Sequence, residues 1–264
     1  MNHLLREIAP LSDAAWQAVD DEARTRLTAL LAARRLVDFS GPHGWQCSSI
    51  DLGRAVDIDD PGAGLSARQR TVQTFVELRA PFTVSRRELA DIARGATNPD
   101  LDGITQAATQ LATVENGAVF HGWATAGITG ITESASHAPV PLGDDPMQYP
   151  AAVAKALNVL RITGIEGPYG LAVGPERYAL IVETTEGGYP LVRHLEGMLG
   201  GPVVWAPGVN GAVLVSSRGG DFQFVSGQDL SVGYLSHDAE EVQLYLEESF
   251  TFQVMEPDAG VALT

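Results

Sequence analysis

The chain has one cysteine, Cys47, in 264 residues, so neither an intrachain disulfide nor a site built from several thiolates is possible. That cysteine falls in a strand pattern and reads as a half-buried structural residue. Basic charge is also scarce, with 17 Lys and Arg against 33 Asp and Glu and a formal net charge of −16. Neutralising phosphates takes clustered Lys and Arg, so the balance argues against a nucleic-acid binder. No apolar run approaches the ~18 residues of a bilayer-spanning helix. The first ten residues carry Arg6 and Glu7 and lack the apolar stretch of a secretory signal. A cytoplasmic protein without a membrane partner is the expectation.

Recognisable catalytic constellations are missing too. Ser236-His237-Asp238 contains triad residue types, but consecutive residues cannot form a relay, and the string reads as a turn. Gly219-Gly220-Asp221-Phe222 reads as a tight hairpin turn. Gly164, Gly167 and Gly170 lack the strand-turn-helix setting of a phosphate loop. His194 and Glu196 are separated by one residue and diverge on a helix, and the six histidines show no metal-ligand spacing. No metal and no cofactor are predicted.

What is present is a folded chain: 45% hydrophobic and 19% charged residues, enough for one large or two small domains. Its most informative stretch is a pair of alternating segments, Gln46 to Ile58 and Arg70 to Phe82. Ile50, Leu52, Val56 and Ile58 alternate with Ser49, Asp51, Ala55 and Asp57, then Val72, Thr74, Val76 and Leu78 with Gln73, Phe75, Glu77 and Arg79. Period two is the signature of strands, and Asp59-Asp60-Pro61-Gly62-Ala63-Gly64 interrupts them. Arms of about a dozen residues would reach ~40 Å at ~3.3 Å per residue. A ribbon of that length is marginal alone, so either a neighbouring subunit covers it or it belongs to one larger sheet.

The rest alternates between classes. Ser12-Asp13 caps a helix whose stripe of Trp16, Val19, Ala23, Leu27, Leu30 and Leu31 predicts one amphipathic helix to about Arg35, packed as core or partly against a partner. Ser85-Arg86-Arg87-Glu88 is a capping box, with Gly95 as the stop. Thr97-Asn98-Pro99 predicts a further helix start, running to about His121 or Gly122. Residues 133 to 215 read as α/β: helices at Pro150–Arg161, Pro175–Val182 and Pro190–Leu199, and strands at Leu171–Val173, Val203–Ala206 and Ala212–Ser216. Thr185-Glu186-Gly187-Gly188-Tyr189 is an exposed loop. The end is strand-rich: Phe222–Val225, Leu230–Leu235 and Val242–Val254, in the last of which Val242, Leu244, Leu246, Phe250, Phe252 and Val254 alternate with polar residues.

Several segments carry a specific resemblance: Gly188-Tyr189-Pro190-Leu191, Gly201-Pro202-Val203-Val204-Trp205-Ala206-Pro207, Arg218 to Phe222, Gly227 to Tyr234, and Tyr245 to Phe252. With Leu4 to Trp16, Arg35 to Gly44, Val76 to Phe82, Arg94-Gly95 and Asp100-Leu101, they run nearly end to end in family order. The chain resembles the encapsulin shell proteins, also called linocin-like or bacteriocin-like proteins. That resemblance implies an α+β fold of the Hong Kong 97-type tailed-phage major capsid kind. Its parts would be a peripheral domain (1–45, 83–132 and 218–264), an extended loop (46–82) and an axial domain (133–217).

The resemblance also implies self-assembly into a closed icosahedral shell of about sixty copies. Such a shell encloses a dye-decolorising peroxidase or a ferritin-like protein through a C-terminal targeting peptide. The peptide would lie against Leu27, Leu31, Arg34, Val37 and Asp38, with Asp229, Leu230 and Tyr234 opposite; for Leu27 and Leu31 ordinary core packing serves equally. Thr185, Glu186, Gly187, Gly188 and Tyr189 would line the five-fold pore, with Glu186 as an acidic ring, or form a solvated turn. Some encapsulins hold flavin against an aromatic residue near Ser85-Arg86-Arg87-Glu88; none stands there, so flavin is not predicted. The alternative is a phage-type major capsid protein enclosing DNA. A first helix starting by Ser12 leaves no room for a long scaffolding segment, and net acidity suits a protein cargo better.

Overall fold

Ser12 starts the first helix as predicted, its Oγ accepting the Ala15 N–H at 3.2 Å. In this computed structural model, which describes residues 3–59 and 61–264, α1 spans Asp13–Leu30. Met1, Asn2 and Asp60, the last inside the predicted interruption between the arms, lie outside the described residues. The helix ends five residues short of Arg35. The buried Asn116 side chain accepts the Ala33 N–H at 3.0 Å and donates to the Leu30 carbonyl at 2.9 Å. Backbone groups that a longer helix would satisfy internally are thus taken by one amide. A 3-10 turn, Ala33–Arg35, follows.

Next come β1 (Asp38–Ser40), β2 (Ser49–Ile58), β3 (Ala67–Thr74) and β4 (Val76–Ser85). Only β2 and β3 form the arm. The predicted second arm divides at Phe75, beyond which β4 leaves the ribbon and enters the main sheet. Ser85 caps α2 (Arg86–Ala93), its Oγ accepting the Arg87 N–H, and Gly95 follows the helix at φ 98°. The next helix, α3 (Asp102–His121), starts later than Pro99, because the Asp100 carboxylate takes up the Asp102 N–H at 3.2 Å.

After α4 (Ile131–Ser134), the middle of the chain contains α5 (Tyr149–Ile162), β5 (Tyr169–Val173), α6 (Pro175–Glu183), β6 (Thr185–Glu186), β7 (Tyr189–Pro190), α7 (Leu191–Leu199), β8 (Val203–Trp205) and β9 (Ala212–Ser216). The last strands are β10 (Phe222–Ser226), β11 (Ser231–His237), β12 (Glu241–Val254) and β13 (Gly260–Leu263). The final strand was not evident from the sequence. It pairs antiparallel with β9, extending a four-stranded sheet ordered β13-β9-β5-β8.

The spine of the molecule is β12. It takes β4 along Glu241–Phe250, β11 along Val242–Glu247 and β10 along Phe250–Val254, with β1 parallel to β10 at the edge. Val242, Leu244 and Leu246 pack into one core with Trp16, Val19, Leu27, Leu89, Ile104 and Leu111, joining α1, α2 and α3 to this sheet. Phe250 and Phe252 enter a second core, shared with the four-stranded sheet and α5 and α7. Polar residues of the same strand are buried as well: Glu247, Glu248, Ser249 and Thr251 are all enclosed. Gly233 is required where β11 crosses the Tyr245 ring: a Cβ there would stand 2.2 Å from the ring carbon Cζ.

The arm is an amphipathic ribbon. Its register places Ile50, Arg54, Val56 and Ile58 opposite Gln73, Thr71, Gln69 and Ala67 on one face. The other face carries two ion pairs, Asp51–Arg70 at 2.5 Å and Asp57–Arg68 at 2.8 Å. An irregularity between Asp51 and Arg54, with Gly53 at φ 66°, shifts the register by two residues, which changes the cross-strand partners but leaves Val56 and Ile58 on the face of Ile50. Val56 and Ile58 are about half exposed, at 52% and 47%, and Leu65 near the tip is 69% exposed.

Candidate functional site

A cavity of about 540 Å³ opens between α1 and the turn leading into β11. Leu27 and Leu31 form its apolar floor with Val232 and Leu246, Leu230 stands at its rim, and Arg34 and Asp229 border it. Five of the eight residues expected to hold a peptide therefore line one cavity. Leu27 and Leu31 are at the same time core residues. Val37 and Asp38 line a separate cavity of about 120 Å³ beside Ser217 and Asp221, and Arg35 borders both. Asp38 Oδ2 accepts the Gly220 N–H at 2.5 Å, which ties the edge strand to the 218–221 turn. Tyr234 lies apart from both cavities. Its ring is in the core and its hydroxyl meets His237 Nδ1 at 2.6 Å.

Behind Arg34 lies a group of buried charges that sequence reasoning missed. The guanidinium donates from Nε to Glu115 Oε2 at 2.8 Å, from Nη1 to Asp229 Oδ1 at 2.7 Å and from Nη2 to Glu248 Oε2 at 2.6 Å. It also sits 5.3 Å and 5.0 Å from the ring centres of Phe39 and Phe224. Glu115 and Glu248 are fully buried. Burial works to lower the Arg34 pKa, but the adjacent Glu115 and Glu248 charges outweigh it and hold the group above its ordinary value. Glu248 shifts far upward, because burial opposes its charge and Glu115 repels it, while Arg34 compensates only in part. Helix α3 supplies both Glu115, which holds Arg34, and Asn116, which ends α1 so that Arg34 points there.

A second buried carboxylate fixes the base of the arm. Glu247 accepts from Arg79 Nε at 2.6 Å and meets His3 Nε2 at 2.9 Å, and the His3 ring stacks on Trp45 at 4.6 Å. Trp45 precedes the arm and Arg79 follows it, so one carboxylate ties both ends of the excursion to β12. Gln73 Nε2 adds a bond to the Gly127 carbonyl at 2.7 Å.

The 185–189 loop is a two-residue hairpin in which Thr185 and Glu186 pair with Pro190 and Tyr189. Gly187 and Gly188 have φ of 56° and 85°, the positive pair that a type I′ turn requires. Glu186 Oε2 meets His194 Nδ1 at 2.7 Å, while Glu196 pairs with Arg193, so the two residues first considered as a metal pair have different partners. Ser236 and His237 are not a turn but the end of β11, paired with Gln243 and Val242, and Ser236 Oγ donates to Gln243; the turn starts at Asp238, whose Oδ1 accepts the Glu240 and Glu241 N–H groups. Among the described residues, no group of three or more His, Cys, Asp or Glu could hold a metal ion, and no helix is long and apolar enough to cross a membrane.

A sheet built on one long strand, helix α3 packed across it, an α/β layer and a projecting two-stranded arm together make the Hong Kong 97-type capsid fold. A virus-like particle from Pyrococcus furiosus shares this fold at TM-score 0.65 and 20% identity, over 94% of this chain and 99% of that one. The capsid of an empty GTA particle shares it at TM-score 0.53 and 17% identity, over 88% and 89%. In sequence, the linocin family model, described as encapsulating protein for peroxidase, matches residues 1–251. The type 1 encapsulin shell protein of Rhodospirillum rubrum is 48% identical over 270 residues, covering 100% of this chain and 96% of its own. That of Brevibacterium linens is 43% identical over 265 residues and the full length of both. The chain belongs to this family of encapsulin shell proteins, which are structural subunits rather than enzymes.

Proposed function

We propose that copies of this chain close into an icosahedral shell of about sixty subunits, the smallest set that such symmetry permits. The shell encloses a peroxidase, of the dye-decolorising class, or a ferritin-like protein, through a C-terminal peptide of the cargo. Residues 46–75 serve as the extended loop, 133–217 with the final strand β13 as the axial domain, and the remainder, β4 included, as the peripheral domain. The half-exposed Val56 and Ile58 on one face of the arm supply apolar surface for a neighbouring copy. The 185–189 hairpin, exposed and carrying Glu186, lines the five-fold opening and favours cations there.

The observation that carries the docking part is the cavity under α1, with its apolar floor of Leu27, Leu31 and Val232 and a charged edge at Arg34 and Asp229. Such a groove suits a short peptide with alternating apolar anchors. Leu230 at the rim is the position to test, because it is only partly buried. Co-expression of Leu230→Glu with a peroxidase bearing its native C-terminus should give intact shells with cargo loading reduced at least about tenfold, the equivalent of ~1.4 kcal/mol. Unchanged loading, measured by mass spectrometry of purified particles, would remove the cavity from the docking reading.

A further inference from the structure

The charges behind the cavity do not balance. Three carboxylates, Glu115, Glu248 and Asp229, contact the single Arg34 guanidinium. Glu115 Oε1 and Glu248 Oε1 are buried and have no donor, while their Oε2 atoms are both engaged by Arg34. Two buried carboxyl groups held by one guanidinium, each with an oxygen that has no donor, are favourable only when one of them carries a proton. With that proton in place the pair bears one negative charge, matching Arg34, and Nη1 remains available to Asp229. Asp229 in turn accepts the Leu230 N–H at 2.9 Å, and its carbonyl accepts Ser231 Oγ, so it organises the cavity rim.

We propose that a single proton shared between Glu115 and Glu248 holds the peptide cavity in its binding form, and that losing it at alkaline pH releases peptide. This rests on the docking reading above and adds its regulation. Deprotonation puts a second negative charge in the interior beside one cation. Glu115 and Glu248 are fixed on α3 and β12, so the group able to respond is Arg34, on a 3-10 turn. Arg34 is drawn inward, its bond to Asp229 is lost, and the turn that presents Leu230 loosens. Arg34, Asp229 and the two glutamates are the charged groups in this cluster, and Phe39 and Phe224 cover the guanidinium. The direction agrees with linkage: an acid whose folded pKa is raised stabilises the folded form below its unfolded pKa, and that contribution is lost as pH rises through the folded pKa.

The test uses the full-length protein and a fluorescein-labelled octapeptide with alternating leucines, followed by anisotropy from neutral pH to about pH 9.5. Wild type should lose affinity at least about fivefold, a change of ~1 kcal/mol. E248Q, whose amide donates permanently where the shared proton would, should stay within about twofold of its own neutral value, under ~0.5 kcal/mol. E115Q is the second variant should E248Q fail to fold. The carbonyl stretch of a protonated carboxylic acid, read by infrared spectroscopy at neutral pH, should be present in wild type and absent from both variants. Equal affinity across the range in wild type, or an alkaline loss that persists in E248Q, overturns the proposal. No peptide binding at any pH would instead overturn the docking reading on which it stands.

Discussion

The arm and the cluster around Arg34 both contain ion pairs of similar length, but they differ in almost every physical respect. On the arm, the Asp57 and Arg68 side chains are 79% and 72% exposed. In the cluster, the Arg34 side chain is 15% exposed, and Glu115 and Glu248 are at 0% and 1%. Water and salt screen the first set, so attraction there is offset by the order it demands. The second set has lost its hydration and depends on its partners. One region is thus held by the fold and the other projects from it, tied at its base by Glu247, His3, Trp45 and Arg79 and by the Gln73 bond to Gly127. This division suits the proposed function, in which the Arg34 region faces cargo and the arm reaches a neighbour.

The largest effect should come from removing the central cation. Arg34→Leu leaves two buried carboxyl groups without compensation, a change that costs about 3–5 kcal/mol. A lowered guanidinium unfolding midpoint with sharply reduced soluble yield is the expected result. Adding Glu115→Gln and Glu248→Gln to Arg34→Leu should restore much of the loss, because the buried charge is then gone altogether. A triple variant as unstable as the single one would mean that packing against Phe39 and Phe224, and not charge, dominates at Arg34.

Next comes a change that should affect assembly and leave the protomer alone. Val56→Ser with Ile58→Ser removes apolar surface that is about half exposed and lies outside both cores, so protomer stability should shift by no more than about 0.5 kcal/mol. Size-exclusion chromatography should nevertheless show small oligomers in place of a megadalton particle. Normal shells from this variant would mean that the arm grips its neighbour through the charged face instead.

The same contrast explains what could be read from the chain. Arm residues are near one another in sequence and alternate strictly, so Ile50, Val56 and Ile58 announced a ribbon with an apolar face. The break at Phe75 was not legible, since alternation continues through Val76 and Leu78 while the strand changes partners from β2 to β12. Nor was the end of α1, which depends on Asn116, 83 residues away from Ala33. Arg34 was legible as a groove residue through family resemblance alone. Glu115 and Glu248 were not, because their partner is 81 and 214 residues distant and isolated glutamates on a helix or an alternating strand read as solvated. The loop at 185–189 was evident because two adjacent glycines break both periodicities within a few residues.

The smallest expected effect sharpens the comparison most cleanly. Asp57→Asn breaks the ion pair with Arg68 without changing side-chain size, and an exposed pair of this kind contributes from nothing to about 1 kcal/mol. The protomer's unfolding midpoint should be nearly the same as wild type at low salt and indistinguishable at high salt, where the screening length falls to about 3 Å. Arg34→Leu should remain destabilising at both, since ions do not reach a group packed against Phe39 and Phe224. The two variants therefore separate by salt response as well as by size of effect. If Asp57→Asn destabilised the isolated protomer as much as Arg34→Leu, and did so in high salt, the arm would have to be packed against its own body, and its role as a clamp reaching outward would fall.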